Sequence, residues 1–434
     1  MSMVQAILLK NGRIIDPANK LDKKGSLLVE KGRITAVFTA RQKTGPLPKK
    51  LFSIDLQGKW VVPGLIDMHV HLREPGEEHK ETIESGTLAA AAGGFTAVAC
   101  MPNTIPVNDC QSVTRLILEK AASASARVYP VGAISKGSHG KILAEFGEMK
   151  QAGAVALTDD GKPVTDSQLL RRALEYASNH KMLVISHSED SGLSRNGAMN
   201  EGFISTSMGL NGIPHIAEEI MVYRDLALAD YTGCHLHLAH ISTRESINLI
   251  RQAKKNGVPV SAETAPHYFT LTEEAVKGYN TNAKMNPPLR TPKDRAAIIK
   301  AIQDGTIDAI ATDHAPHSVL EKDIEFDQAA NGIIGLETAV PLTLALFRKG
   351  HIDASRLVQL LSSNPARILG VEGGSLGIGA EADIAVIDPE LHFVLQEQDI
   401  LSKGKNSPFI GARLQGKAVL TLCGGRITHN LLSP

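Results

Sequence analysis

Between about residues 61 and 370 short apolar runs alternate with longer stretches whose apolar positions recur at helical spacing. The short runs read as strands: LIDMHV (65–70), FTAVACM (95–101), RVYPVGAI (127–134), AVALT (154–158), MLVISH (182–187), HLHLAH (235–240), VPVSAE (258–263) and IDAIAT (307–312). Candidate helices such as HKETIESGTLAAAAGG, SQLLRRALEYASNH and STRESINLIRQAKKNG lie between most of them. Each closes near Gly or Asn, residues suited to the turn that ends a helix. Eight βα units in about 310 residues predict an α/β fold, a (β/α)8 TIM-type barrel, with an open doubly wound sheet as the alternative.

Both ends of the chain have a different texture. AILLKNGRIIDPANKLDKKGSLLVEKGRITAVF at the start, and ADIAVIDPELHFVL and AVLTLCGGRITHN near the end, are β-like runs broken by Asn-Gly, Pro and Lys-Gly. They predict a small β-sandwich domain made from residues 1–60 plus 375–434, with the barrel, 61–374, carrying the chemistry.

Charge narrows the choice of partner. Lys+Arg and Asp+Glu are equal at 46 each, so no global field favours nucleic acid or an anionic membrane, and a small-molecule substrate is expected. No apolar segment reaches the roughly 18 residues a membrane span needs. The first residues lack the profile of a signal peptide, and a cytoplasmic location is expected. The four cysteines, Cys100, Cys110, Cys234 and Cys423, form no CxxC pair, which argues against a disulfide framework and a thiolate zinc site.

In a barrel the chemistry gathers at the C-terminal ends of the strands. Those positions hold His69 and His71, then Asn103, then Asp159 and Asp160, then His187, His240, a position near His267, and Asp313. Side chains alternate along a strand, so His69 and His71 share a side and can reach one ion. A lone histidine is more often a hydrogen-bonded structural residue. Several His and Asp at the mouths of different strands instead point to a metal. Imidazole and carboxylate donors without thiolate suit zinc, with manganese, cobalt or iron as substitutes. The donors outnumber the needs of one tetrahedral ion, so one or two metals per subunit are expected, and the reaction class is metal-assisted hydrolysis or its reverse. His235 and His237 are expected to pack or hydrogen-bond away from His240, and His314 to point away from Asp313. The glycine-rich GGSLGIGAEAD lacks the flanking strand and helix of a dinucleotide loop and reads as a turn.

DMHVHLREPG, MPNT, HSED, HLAHIST, KMNPPLR and ATDHAPH, in this order and spacing, closely resemble the type I bacterial dihydroorotases of the amidohydrolase superfamily. SLGIGAEADIAVIDP resembles the exit of that superfamily from barrel to β-sandwich. The resemblance covers nearly the whole chain and implies reversible cyclisation of N-carbamoyl-L-aspartate to L-dihydroorotate plus water, in pyrimidine biosynthesis. It also implies that His69, His71 and Asp313 hold one zinc and that His187 and His240 hold a second. Asp160 matches the bridging ligand, where relatives often carry a carboxylated lysine. AVALTDDG contains no lysine, and residues alone separate Asp159 from Asp160 only weakly.

Substrate binding carries over to His71, Arg73, Asn103, Asn286 and His317, with Asn331 and Gly332 touching the ring through their backbones. A guanidinium fork at Arg73 suits the substrate's non-reacting carboxylate, against a plain ion pair with Glu74 or Glu77. Beside Pro, Asn103 and Asn286 could equally serve turns. The NGIIGLE segment departs from the aromatic or small residue that many relatives have before that glycine. Asp313 is expected to carry the proton. A homodimer, and association with aspartate transcarbamoylase, are the partner expectations. The rivals are another cyclic-amide hydrolase of allantoinase or dihydropyrimidinase type, and a non-catalytic relative serving as a structural partner of aspartate transcarbamoylase.

Overall fold

The eight apolar runs form eight strands that pair in chain order into one parallel sheet: β1 (Leu65–Val70), β2 (Phe95–Cys100), β3 (Arg127–Gly132), β4 (Ala156–Leu157), β5 (Leu183–Ser186), β6 (Leu236–Leu238), β7 (Val260–Thr264) and β8 (Ala309–Ile310). This computed structural model describes residues 6–39 and 47–432. The sheet nearly closes: beyond β8, His314 bridges Val70 in parallel, and the His71 N–H donates to the His314 carbonyl at 2.8 Å. The TIM-type barrel therefore stands, and the open-sheet alternative does not.

Alternation sorts the strand residues into two layers. Ile66, Met68, Ala99, Ala156, Ile185 and Ala311 pack inside the barrel. Leu65, Val98, Val184, Leu238 and Ile310 face outward into the core shared with the helices. Each large side chain buried there contributes roughly 1.5–3 kcal/mol through removal of apolar surface from water. Small lumen residues leave room for polar groups nearer the mouth.

The helices begin where the sequence supplies caps. Thr82 accepts from the Ser85 N–H ahead of Ile83–Ala92, Asp166 from Gln168 and Leu169 ahead of Ser167–Asn179, and Thr243 from Ser246 ahead of Arg244–Lys255. Gly93, His180 and Asn256 end them.

The two chain ends meet in a second, eight-stranded sheet. Ile384–Val394 pairs antiparallel with Trp60–Pro63, which runs parallel to Ala6–Asp16, joining the C-terminal strands to the N-terminal ones. Its own core includes Leu9, Ile14, Leu27, Val61, Ile384 and Leu420. The Arg127 guanidinium at the start of β3 pairs with Glu381 and Asp383, tying this sheet to the barrel.

Candidate active site

Three backbone irregularities aim the side chains at the barrel mouth. Simple alternation along β1 would send His69 outward with Leu65. The register against β2 shifts between Asp67 and Val70, so Met68 faces the lumen while Val70 faces the helices. That extra residue turns His69 and His71 inward together, and Asp67 fixes it by accepting from the His69 and Thr312 N–H groups at 3.1 and 3.0 Å. His240 shares parity with outward-facing Leu238, but its φ of 34° swings it back to the mouth. Asp313 also takes positive φ, 51°.

Asp160 lies at the centre. His69 Nε2 is 3.3 Å from its Oδ1, His187 Nδ1 3.5 Å and His240 Nε2 3.7 Å; His71 Nε2 is 3.6 Å from its Oδ2. Asp313 Oδ1 stands 3.2 Å from His71 Nε2 and 3.6 Å from His69 Nε2. His69, His71 and Asp160 form one group able to hold a metal ion, and Asp160, His187 and His240 a second. Asp159 takes no part. It faces away and accepts from the Ile134 and Ser135 N–H groups at 2.9 and 3.1 Å, and from the Ser135 hydroxyl.

This set fits a cation on electrostatic grounds. Burial opposes protonation of His69, yet Asp160 and Asp313 outweigh it and raise its pKa well above the ordinary value. Burial likewise opposes protonation of His187, but Asp160 and Glu189 raise its pKa to about 10. The carboxylates thus demand positive charge, which the imidazoles supply when no metal does. His69 Nε2 is buried without a hydrogen-bond partner, and its lone pair is directed into the cluster when Nδ1 bears the proton.

Three of the imidazoles, those of His69, His71 and His187, are oriented from behind, while His240 Nε2 lies 2.8 Å from His187 Nδ1 within the cluster. Glu263 Oε1 sits 3.2 Å from His69 Nδ1 and its Oε2 3.2 Å from His237 Nε2. Asn103 Oδ1 sits 2.9 Å from His71 Nδ1, and its amide group reaches Asp160 at 3.4 Å. Glu189 Oε2 lies 2.8 Å from His187 Nε2 and accepts from Asn286 Nδ2 at 2.7 Å. Sequence alone did not single out Glu189, within HSED, or Glu263, at the end of the run VPVSAE. Parity could have found Glu263, since it falls at the end of a strand on the lumen face. His267 lies in the short helix Pro266–Thr270, where burial lowers its pKa to about 4. His314 turns to Glu81, 3.3 Å away.

Arg73 and His317 form the rim. Arg73 is 9% exposed, with φ 60°, and its carboxylate pairing is weak. Glu77 is 3.9 Å away and is held instead by Lys80 at 2.6 Å, while Glu74 pairs with Lys120 at 2.5 Å. The guanidinium donates to the Pro316 carbonyl at 3.2 Å and approaches His317 Nε2 at 3.2 Å. His317 Nε2 is also 2.8 Å from the Asn331 carbonyl. Burial and Arg73 bring the His317 pKa to about 3, so the ring is neutral. A neutral ring serves only one of those neighbours through Nε2, and donation to Asn331 leaves a guanidinium N–H of Arg73 for a ligand. The Gly332 peptide is engaged within the protein: its N–H donates to the Lys284 carbonyl at 3.0 Å, and its carbonyl accepts from Lys322 and Asn406 at 3.1 and 3.0 Å. Its φ of 125°, with a Cβ position 2.6 Å from Ala315 Cβ, requires glycine.

The description "Dihydro-orotase-like" matches residues 58–246, and "Amidohydrolase family" matches 330–429. The chain is 61% identical over 423 residues to the dihydroorotase of Desulfotalea psychrophila, covering 98% of this chain and 99% of that one. It is 54% identical over 424 residues to the dihydroorotase of Syntrophus aciditrophicus, with 98% and 99% covered. Among solved structures, the L-hydantoinase (dihydropyrimidinase) from Arthrobacter aurescens is similar with a TM-score of 0.87 at 24% identity, over 98% of this chain and 96% of that one. A dihydropyrimidinase from Brevibacillus agri NCHU1002 follows at 0.85 and 22%, over 98% and 95%. At such identity these two structures speak for the fold alone. Among the described residues no helix is long and apolar enough to cross a membrane.

Proposed function

The chain belongs to the dihydroorotase family of metal-dependent cyclic amidohydrolases, and we propose that its barrel mouth interconverts N-carbamoyl-L-aspartate and L-dihydroorotate by the residues described above. His69, His71 and Asp313 would hold one zinc, His187 and His240 a second, with Asp160 between them. Imidazole and carboxylate donors favour zinc over manganese, cobalt or iron. Divalent cations held there supply Lewis acidity, polarising the ring amide carbonyl and acidifying water.

In ring opening the water oxygen bonds to the amide carbon and the carbon–nitrogen bond breaks. Asp313 takes the proton released by the water and returns it to the leaving ring nitrogen. Closure runs the same path backwards: the carbamoyl nitrogen attacks the side-chain carboxyl and water leaves. Closure consumes one proton, so acid favours the cyclic product. Arg73 and His317 bind the non-reacting carboxylate, with Asn103 and Asn286 lining the pocket and the Asn331–Gly332 peptide forming its wall.

The observation that carries this reading is the buried Arg73 guanidinium at the mouth of a metal-binding cluster, whose carboxylate neighbour Glu77 stands 3.9 Å away and is held at 2.6 Å by Lys80. A hydantoin has no carboxylate to place there, so the purified enzyme should turn over dihydroorotate and leave hydantoin and allantoin untouched. Asp313→Ala should lose both directions of turnover while staying folded. Activity above about one percent would remove Asp313 from the role of proton carrier. The same reading expects a cytoplasmic homodimer able to associate with aspartate transcarbamoylase.

A further inference from the structure

The segment 401–409, LSKGKNSPF, leaves the terminal sheet between Ile384–Val394 and Arg413–Cys423 and crosses to the barrel mouth. It is anchored at its near end. Ser402 Oγ bonds to Glu81, the Lys403 N–H donates to Glu81 at 3.0 Å, and Lys403 Nζ donates to the Glu78 carbonyl at 2.6 Å. Farther along, its hydrogen bonds to the rim of the site come from Asn406. Asn406, 4% exposed, accepts from the His317 N–H at 2.9 Å through Oδ1. Its Nδ2 donates to the Ala315 carbonyl at 2.9 Å and the Gly332 carbonyl at 3.0 Å. Its own carbonyl accepts from the Ile334 N–H at 3.1 Å.

A single planar amide thus reinforces the join between two loops, 315–317, which follows Asp313, and 332–334, which follows the Asn331 carbonyl; their own backbones meet through the Ala315 N–H, which donates to the Ile333 carbonyl at 2.8 Å beside the His314–Ile333 bridge. Only an acceptor on one side and two donors on the other satisfy all three partners, and Asn supplies them. An aspartate would set a carboxylate against two carbonyl oxygens. The strap also approaches closely: a Cβ at Gly404 would lie 2.7 Å from Pro316 Cβ and 3.0 Å from the His317 N.

We propose that Asn406 is a positioning residue for substrate, fixing His317 relative to the Asn331–Gly332 wall and so setting the width of the pocket opposite Arg73. This rests on the substrate roles given above to His317, Asn331 and Gly332. The residue touches neither the metal-binding cluster nor the reacting atoms, so its loss weakens binding and spares the chemical step.

Steady-state kinetics on the zinc-loaded full-length enzyme tests this. Asn406→Asp, close in shape to the native residue, should raise KM for dihydroorotate at least tenfold, with kcat within threefold and zinc content unchanged. Gly404→Ala, which presses on His317 from the same strap, should raise KM several-fold. Either variant that purifies folded carries the test. Lys403→Ala, which loosens the strap away from both loops, should leave KM unaltered and separates positioning from general strap stability. His317→Ala separates the substrate role of the rim from the positioning role of Asn406. If His317→Ala leaves KM unchanged, the substrate reading of the rim fails. If His317→Ala raises KM while Asn406→Asp and Gly404→Ala do not, the positioning role of Asn406 is overturned. Equal losses in kcat and KM terms, shared by Lys403→Ala, would also overturn it.

Discussion

Glu263 gives a sharp test of the metal centre, because it touches the cluster only through His69. Its two oxygens lie 3.2 Å from His69 Nδ1 and 3.2 Å from His237 Nε2, and it is 1% exposed. A proton held on Nδ1 by this carboxylate leaves Nε2 as a lone pair directed at Asp160, which is the form a metal needs. Glu263→Gln keeps an acceptor for His69 but removes the charge. A charged hydrogen bond is worth roughly 1–1.5 kcal/mol more than a neutral one, about tenfold in affinity. Glu263→Ala removes the acceptor as well and frees the tautomer, so the loss should approach the hundredfold end of the range known for such partners. Zinc competition against a chromophoric chelator, on protein shown to be folded by circular dichroism, reads both values. The loss should fall on the ion held by His69 and His71, while Glu189→Gln weakens the one held by His187 and His240. Unchanged affinity in both Glu263 variants would refute the claim that this carboxylate prepares His69. A loss confined to the other ion would refute the assignment of His69.

Arg73→Lys should raise KM for dihydroorotate by roughly ten- to a hundredfold and leave zinc content alone, since an ammonium cannot reproduce the two parallel bonds of a guanidinium; an unchanged KM means that the substrate carboxylate binds elsewhere. Glu337 accepts from the Leu401 and Ser402 N–H groups at 2.9 and 3.2 Å, yet burial raises its pKa from 4.5 to about 7. The folded form therefore holds a proton that the unfolded form loses, and this contribution to stability, full below pH 4.5, disappears as pH rises through 7. Glu337→Gln can keep both hydrogen bonds without the buried charge. Its unfolding midpoint in denaturant should gain on the parent between pH 5 and pH 8, by a shift worth on the order of 3 kcal/mol at most. A variant that loses ground at pH 8 contradicts the sign.

The strands, their order and the cluster at their mouths were legible because each rests on local periodicity. Apolar runs mark strands buried on both faces, and a barrel assembles them in chain order. The choice of Asp160 over Asp159 was nearly legible too. Asp160 shares parity with lumen-facing Ala156, whereas Asp159 shares it with outward-facing Leu157. Alternation was still not enough for His69 and His71, which face inward only through the register shift above Asp67. A bulge depends on what the neighbouring strand offers, and one strand's own pattern does not contain that. Glu189 stands in HSED and Glu263 ends the run VPVSAE, both in plain view. What sequence withholds is the pairing: Glu263 serves an imidazole 194 positions away. Asn406 is the extreme case. It lies 89 positions beyond His317 in a strap with neither helical nor strand periodicity, and four hydrogen bonds to two separate loops give it its place. Periodicity thus locates the groups that share a strand face, while the groups that hold them in line are chosen by the fold. Substitutions at Glu263, Glu189 and Asn406 therefore probe the structure where inspection of motifs alone is least informative.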